Sequence, residues 1–328
     1  MRKGAVAVSA VLEVSDLTRT FGKVVANEDI HLRVQPGEVV GLLGHNGAGK
    51  TTLVSQLVGL LRPDRGAIRV AGIDAIKDPA AARRAVALQP QAQAPLDGLT
   101  PKEAIEIAAR LRGLSTSDAR AAALRLADDL DIGEWFTRRA VPEGGLSGGA
   151  RRLTAFAMAA VAPVPLVVLD EPTNDVDASR RRLLWQTVRR LGDQGAGVLL
   201  VTHNVLEAER VVDSLVLLDR GRVVATGTPR ELRGTRDNDL HVELFRTDAF
   251  ATEPISPPLP VVRQVTAGRR TILTIAASHA ATAVAWAASL RDRGEVESYA
   301  ITPTTLEDTY LSITSAGDEL AEATKEGV

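Results

Sequence analysis

The sequence predicts an α/β protein: a mostly parallel sheet with a helical insertion, followed by a small α+β domain. Three short apolar runs, Val39–Leu43, Leu166–Asp170 and Val198–Thr202, each lead into polar or glycine-rich residues. Such runs are typical of strands buried on both faces, as happens when helices cover a parallel sheet. Helical patterns lie between them, and strands that alternate with helices predict a parallel sheet.

The first run leads into the stretch Gly44-His45-Asn46-Gly47-Ala48-Gly49-Lys50-Thr51-Thr52, and a helical pattern follows. The spacing and the strand–turn–helix context match the P-loop, G-x-x-x-x-G-K-[ST]. Glycines let the backbone curl so that N–H groups point at phosphate oxygens, and the helix N-terminus adds partial positive charge. We expect Lys50 to reach the β- and γ-phosphates and the Thr51 hydroxyl to hold Mg²⁺.

Composition narrows the possible functions. The 328 residues allow about two domains with a large buried core. The formal net charge is -2 and no dense basic stripe exists, so nothing indicates a nucleic-acid partner. The absence of cysteine excludes disulfides and thiolate metal sites. No apolar stretch approaches the roughly 18 residues that span a bilayer, so we expect any work at a membrane to depend on a partner.

The first half of the chain predicts strands and a helical insertion. Strands are expected over Val11–Phe21 and about Ile30–Val34, and the P-loop helix is expected to end near Arg62-Pro63. Thr100 and the following proline predict a capped helix, and a second helix is expected over Ser117–Leu130. Residues 92–162 are therefore predicted to form a helical subdomain.

The second half predicts a boundary near residue 232, where the composition shifts. A helix is expected over Arg180–Leu191, and a hairpin turns at Asp219-Arg220-Gly221. Residues 10–232 are predicted to form one domain and residues 239–315 a small accessory α+β domain. A capping box opens its last helix at Thr304, and the acidic end, 316–328, is predicted to be disordered.

Two further motifs carry chemistry. Asp170 ends a buried strand, where a P-loop ATPase needs an acid for Mg²⁺, and the Glu171 carboxylate that follows could polarise an attacking water. Ser147, Gly148 and Gly149 lead into the helical run Arg151–Val161. Free N–H groups at such a helix start attract an anion.

Three single residues are more ambiguous. His203 follows a buried strand, at the sheet edge where ligands bind in open α/β sheets, and both a structural and a functional role remain open. Gln91 follows the strand Val86–Leu88 and could neighbour a water or Mg²⁺. Phe21 could stack on a purine or pack in a core.

Taken in order, these residues resemble the ATP-binding subunit of an ABC transporter. The order is an aromatic residue, the P-loop, a glutamine, Leu-Ser-Gly-Gly from Leu146, the strand and acids of 166–173, Asp177 and His203. The resemblance covers about residues 10–232. The stretch 303–311 is similar to the tail of drug- and antibiotic-exporter ATPases of the daunorubicin-resistance type, whose permease is a separate polypeptide.

The resemblance implies a role for each residue within one subunit. Phe21 would stack on adenine, and Gly44–Thr52 would cradle the phosphates of ATP. Gln91 would sense Mg²⁺ and the attacking water, and Asp170 would support Mg²⁺. Glu171 would be the general base and His203 would contact the γ-phosphate.

The resemblance also implies a dimer and a membrane partner. Ser147, Gly148 and Gly149 would complete the site of a second copy, so that ATP is sandwiched between two subunits with Asp177 near their interface. Separate permease subunits would hold the protein at the cytoplasmic face of the cell membrane. The expected function is ATP hydrolysis that powers transport, with export indicated by the tail; drug, lipid, glycan and ion cargo stay open.

Two departures and two alternatives accompany this prediction. Ala150 stands where the family usually has Gln or another longer residue, and Asp175 stands where Gly or Ala is usual. We expect both to affect the hydrolysis rate and the interface. A soluble ABC ATPase of translation or repair is one alternative, although the chain has a single cassette, no heptads and no cysteine. A module that holds ATP without turnover is the other, and Glu171 and His203 argue against it.

Overall fold

The computed structural model describes residues 9–141, 145–233, 239–250 and 255–304. The chain divides into two compact units, residues 1–229 and 230–328. Within the described ranges, no helix is long and apolar enough to cross a bilayer.

The described residues of the first unit form ten strands in two sheets: β1 (Leu12–Phe21), β2 (Val24–Val34), β3 (Val39–Leu43), β4 (Arg65–Val70), β5 (Ile73–Asp74), β6 (Val86–Gln89), β7 (Leu166–Asp170), β8 (Gly197–Thr202), β9 (Ser214–Asp219) and β10 (Arg222–Gly227). The central sheet has the order β10-β9-β3-β8-β7-β6, and only β10 runs antiparallel to its neighbour. The other sheet is antiparallel, with the order β2-β1-β4-β5.

The register of the central sheet places the chemistry at one edge. In the parallel pairs Leu43 lies beside Thr202, and Asp170 lies beside Val201. Strands β3, β7 and β8 are buried along their whole length, because the sheet is covered on both faces. Their carboxyl ends therefore bring the P-loop, the two acids and His203 together, where open α/β sheets bind ligands.

Eight helices accompany the described strands up to residue 233: α1 (Lys50–Leu57), α2 (Pro79–Arg84), α3 (Pro101–Leu111), α4 (Thr116–Asp129), α5 (Gly148–Ala160), α6 (Ala178–Asp193), α7 (Val205–Ala208) and α8 (Pro229–Arg233). Side-chain caps fix several of their starts. Thr100 and Glu103 form a reciprocal capping box on α3, and Ser115 accepts the Asp118 N–H at 3.1 Å on α4.

Helix α1 is held by a core between the two sheets. Leu53 and Leu57 of this helix are almost fully buried, and they belong to one cluster with Leu17 of β1 and Val168 of β7. Burial of one side chain of this size stabilises the folded state by about 1.5–3 kcal/mol. The helix that follows the P-loop therefore has a fixed position relative to β7 and its acids.

The described part of the second unit contains a four-stranded antiparallel sheet and a helix that packs against it. Its elements are β11 (Asp239–Arg246), β12 (Arg263–Ala267), β13 (Arg270–Ala276), α9 (Ala280–Asp292) and β14 (Val296–Pro303), and the strand order is β12-β13-β11-β14. Val242 and Leu273 from the sheet pack with Ala283 and Ala287 from the helix.

The predicted α/β architecture is confirmed, and several of the expected element boundaries were wrong. Helix α1 ends at Leu57 rather than near Arg62-Pro63, because Gly59 adopts a left-handed φ of 68° and breaks the helical path. Strand β2 begins at Val24, and α5 begins at Gly148. The helix expected from Thr304 and the acidic end fall in 305–328, outside the described residues.

Candidate functional site

The P-loop has the backbone shape that its glycines permit. Gly47 and Gly49 have φ values of 88° and 105°, in the left-handed region that side chains disfavour. A Cβ on Gly49 would lie 2.3 Å from the Ala26 carbonyl oxygen, and one on Gly44 would lie 2.5 Å from that of Leu218. The loop is therefore both curled and pressed against its neighbours, so only glycine fits at these positions.

Lys50 is buried inside this loop. Its Nζ donates hydrogen bonds to the carbonyl oxygens of Gly44, at 2.5 Å, and His45, at 3.1 Å. Burial lowers the pKa of Lys50, while the nearby charges of Glu171 and Asp170 oppose that shift. The ammonium group thus lies between the curled backbone and two acids, where it can meet a phosphate.

Asp170 and Glu171 are two buried acids at the end of β7. Desolvation, with a smaller effect from Glu171, raises the pKa of Asp170 to about 6, although Lys50 and Arg152 act in the opposite direction. Among the described residues the Asp170 carboxylate has no hydrogen-bonding partner. A buried carboxylate in this condition is suited to a cation.

Glu171 is held by the residues that follow β8. Its Oε1 accepts the backbone N–H of His203 at 3.0 Å and lies 2.7 Å from the Nδ1 of the same histidine. Its Oε2 accepts the Thr202 hydroxyl at 3.1 Å. The Glu171 backbone has a φ of 50°, an uncommon conformation for this residue type. Glu171, the predicted general base, and His203, the predicted contact of the γ-phosphate, are therefore hydrogen-bonded to each other.

A cavity of about 500 Å³ joins these groups. Its lining includes most of the predicted cradle and acids: Asn46, Gly47, Gly49, Lys50, Thr51, Thr52, Gln91, Asp170 and Glu171. Gln91 and Asp170 also line an adjoining cavity of about 420 Å³. The structure thus brings Gln91 beside the acids, as expected of a residue near water or a metal.

Phe21 lies at the tip of the β1–β2 hairpin, outside the cavity lining. The residue is 46% exposed, so the core-packing interpretation was wrong. The Arg19 guanidinium lies 4.7 Å from the centre of its ring. Residues Val24 to Ala26, which follow Phe21 around the turn, line the cavity. The exposed ring is available for stacking.

The signature residues also lie outside the cavity lining. Ser147 caps α5, since its Oγ accepts the Ala150 N–H at 3.2 Å, and Gly148 and Gly149 begin the helix. A Cβ on Gly149 would lie 2.4 Å from the Asp175 carbonyl oxygen. The loop that contains Asp175 is therefore packed directly against the signature backbone.

Asp177 has a structural role that the sequence did not indicate. It caps α6 by accepting the N–H groups of Ser179 and Arg180. The Ser179 hydroxyl and the Arg180 backbone hold its pKa well below the usual range. This carboxylate is thus ionised and fixed at a helix start, and it too lies outside the cavity lining.

Sequence reasoning missed the contribution of the β9–β10 turn. Arg220 and Gly221 line the cavity, and the Gly221 N–H donates to the Ala48 carbonyl at 2.9 Å. His45 Nε2 lies 2.9 Å from Asp219 Oδ1, a contact between residues 174 positions apart. The one available signal was the turn sequence at the end of a strand next to β3.

Three features define a P-loop ATPase: a glycine cradle with a buried lysine after β3, two acids at the end of β7, and a histidine hydrogen-bonded to the second acid. The family model described as ABC transporter matches residues 27–174. The doxorubicin resistance ATP-binding protein DrrA of Mycobacterium tuberculosis is 37% identical over 237 residues, which cover 72% of this chain and 70% of that protein.

Two further comparisons cover more of one chain or the other. The Nod factor export ATP-binding protein I of Cupriavidus metallidurans is 32% identical over 94% of this chain and 98% of that protein. The solved structure of an ATP-binding subunit of an ABC transporter is 33% identical, covers 68% of this chain and 92% of its own, and gives a TM-score of 0.63. The chain belongs to the ABC transporter family, as an ATP-binding subunit that hydrolyses ATP.

Proposed function

We propose that this ATPase powers export through a separate transmembrane permease and that two copies close on two ATP molecules. The main support for the dimer is that the predicted ATP-binding residues of one chain lie apart. Lys50 and Glu171 line one cavity, whereas Ser147 and Gly149 lie outside it. Backbone N–H groups at the start of α5 can bind a phosphate. On this proposal a second copy supplies them, so that each cavity is half of a site.

The residues fit Mg²⁺ as part of this site. Thr51 offers a hydroxyl oxygen, Gln91 a carboxamide oxygen and Asp170 a buried carboxylate that accepts no hydrogen bond from the described residues, and all three border the same cavities. Such hard oxygen donors, together with phosphate oxygens, are the ligands that Mg²⁺ prefers. When bound, the ion would neutralise charge on the phosphates.

In hydrolysis, each side chain has a task that its position allows. Glu171 would accept a proton from water as the water oxygen bonds to the γ-phosphorus and the bond to the ADP oxygen breaks. His203, joined to Glu171 at 2.7 Å, would contact the γ-phosphate, and Lys50 would stabilise the β- and γ-oxygens. Phe21 would stack on adenine.

Export and the membrane location rest on similarity and on the fold. One relative is named for doxorubicin resistance and another for Nod factor export. We infer that residues 10–232 form the ATP-binding domain, with 92–162 as its helical subdomain, and that 239–315 form an accessory domain. Permease subunits would hold the protein at the cytoplasmic face of the cell membrane.

The sandwich is tested with Glu171→Gln, which removes the base and keeps an isosteric partner for Thr202 and His203. We expect kcat to fall by about 10²–10⁴-fold. With ATP, this variant should elute as a dimer in size-exclusion chromatography. Adding Ser147→Arg should abolish the dimer by filling the phosphate-facing surface.

Ser115 offers a matched control, because it caps α4 as Ser147 caps α5. The Glu171→Gln/Ser115→Arg protein should still dimerise with ATP. If the Ser147→Arg protein dimerises as well, the sandwich is refuted. Purification of the native protein from membranes tests the second part of the proposal, the permease. If no integral membrane protein co-purifies, the proposed permease partner is contradicted.

A further inference from the structure

A buried arginine joins the signature helix to the loop that carries Gln91. Arg152 lies on α5, five positions after Ser147, and is 6% exposed. Its Nη1 donates to the Pro90 carbonyl oxygen at 3.0 Å. Pro90 directly precedes Gln91 and follows β6. One side chain therefore links a helix predicted to act on the second copy with a residue predicted to act in its own site.

The arginine of this contact lies in the interior of the protein rather than on its surface. A guanidinium is costly to bury unless it is paired or hydrogen-bonded, and the Pro90 carbonyl supplies one such hydrogen bond. Arg152 also lies near enough to Asp170 for its charge to favour the ionised carboxylate. The contact is thus adjacent to both Gln91 and the acid of β7.

Gln89 gives a second, independent observation at the same end of β6. This residue is fully buried, and neither its Oε1 nor its Nε2 has a partner among the described residues. It lies beside Leu169, one residue before Asp170. An unpaired buried amide disfavours the arrangement that holds it. A movement of this strand end that paired the amide would recover the free energy of its missing hydrogen bonds.

We propose that Arg152 is a positioning residue that transmits movement of α5 to Gln91. The inference rests on the proposed function, since it needs Ser147–Gly149 to engage ATP of a second copy. A helix moves as a rigid body, and Arg152 moves with it. The hydrogen bond pulls on Pro90, whose ring fixes φ and so passes the displacement to the next residue. Gln91 then reaches its working position only when the second copy has closed.

Arg112 provides a matched control at the other end of the same strand. Its Nη2 donates to the Val86 carbonyl at 2.6 Å and its Nη1 to that of Arg84 at 3.3 Å. Like Arg152, it connects the helical insertion to backbone carbonyls at one end of β6. It touches neither cavity that Gln91 lines. Arg112 is exposed whereas Arg152 is buried, so loss of Arg112 reports the cost of a side-chain contact to a backbone carbonyl at this strand without the cost of burial.

The experiment measures steady-state ATP hydrolysis by the full chain. The single variants are Arg152→Gln, Arg152→Lys, Arg112→Gln and Gln91→Ala. The double variants are Arg152→Gln/Gln91→Ala and Arg112→Gln/Gln91→Ala. We expect Arg152→Gln to lower kcat by about tenfold with KM for ATP within about twofold, because the interaction matters only in the closed state. Arg152→Lys should recover part of kcat. The Arg152→Gln/Gln91→Ala protein should be no slower than the slower single variant, since both changes act through Gln91.

The control sets the outcomes apart. Arg112→Gln should leave kcat close to that of the native chain, and its small effect should multiply with that of Gln91→Ala. If the effects of Arg152→Gln and Gln91→Ala also multiply, or if Arg152→Gln raises KM alone, the inference is overturned while the proposed function stands. If Gln91→Ala does not change kcat, the role of Gln91 fails and the inference fails with it. Should Arg152→Gln unfold, Arg152→Lys with Gln91→Ala provides the same comparison.

Discussion

The position of Asp170 suits the binding of Mg²⁺ but lowers the stability of the folded protein. The carboxylate is buried beside Glu171, and desolvation raises its pKa from 3.8 to about 6. At neutral pH the folded protein therefore holds a charge that its surroundings disfavour. We expect Asp170→Asn to stabilise the nucleotide-free protein, because the amide has the size of the carboxyl group and no charge.

The magnitude follows from the pKa. A rise from 3.8 to about 6 corresponds to about 3 kcal/mol of lost stability once the group is ionised in both states. Because the folded-state pKa is the higher one, the native state binds more protons between these two values. Stability thus falls as the pH rises through that window, with no penalty below it and the full penalty above it.

The assay is thermal and urea unfolding without nucleotide or Mg²⁺, at pH 7.5 and at pH 4. At pH 7.5 Asp170→Asn should gain about 3 kcal/mol, or roughly 6–12 °C in Tm for a unit of this size. At pH 4 the advantage should largely disappear. Asp128→Asn, an exposed change on α4, should alter neither value. An equal advantage at both pH values, or none at pH 7.5, would refute the reasoning.

Three further changes test the site. Phe21→Ala should raise KM for ATP by about tenfold, since base stacking contributes about 1–3 kcal/mol, and Phe21→Tyr should not. Asp175→Asn should lower the ATP concentration at which half of the Glu171→Gln protein is dimeric. The Asp175 carboxylate lies against Gly148, where it would repel a phosphate bound at the start of α5. An unchanged midpoint would exclude this repulsion. His203→Ala should lower kcat by about 10²–10³-fold, as removal of a donor to a developing charge does; unaltered turnover would remove it from the site.

The sequence was sufficient wherever local pattern and local structure coincide. Strand β7 was predicted to the residue, because four apolar residues and a terminal acid form one unbroken run. The P-loop was predicted as a whole, because its glycines and Lys50 are contiguous and their function follows from backbone shape. The α1 boundary was missed, since Gly59 ends the helix one turn before the proline that seemed to mark it.

Contacts between distant positions could not be read in this way. Arg152 meets Pro90 across 62 positions, and His45 meets Asp219 across 174. The backbone of the β7–α6 connection was equally hidden, although Glu171 and Asp175 both adopt left-handed φ there. Such conformations cost of order 1–3 kcal/mol each and persist only where surrounding contacts enforce them. Here Glu171 is fixed by hydrogen bonds with Thr202 and His203, and the Asp175 carbonyl packs closely against Gly149, so the strained segment spans the distance between base and signature.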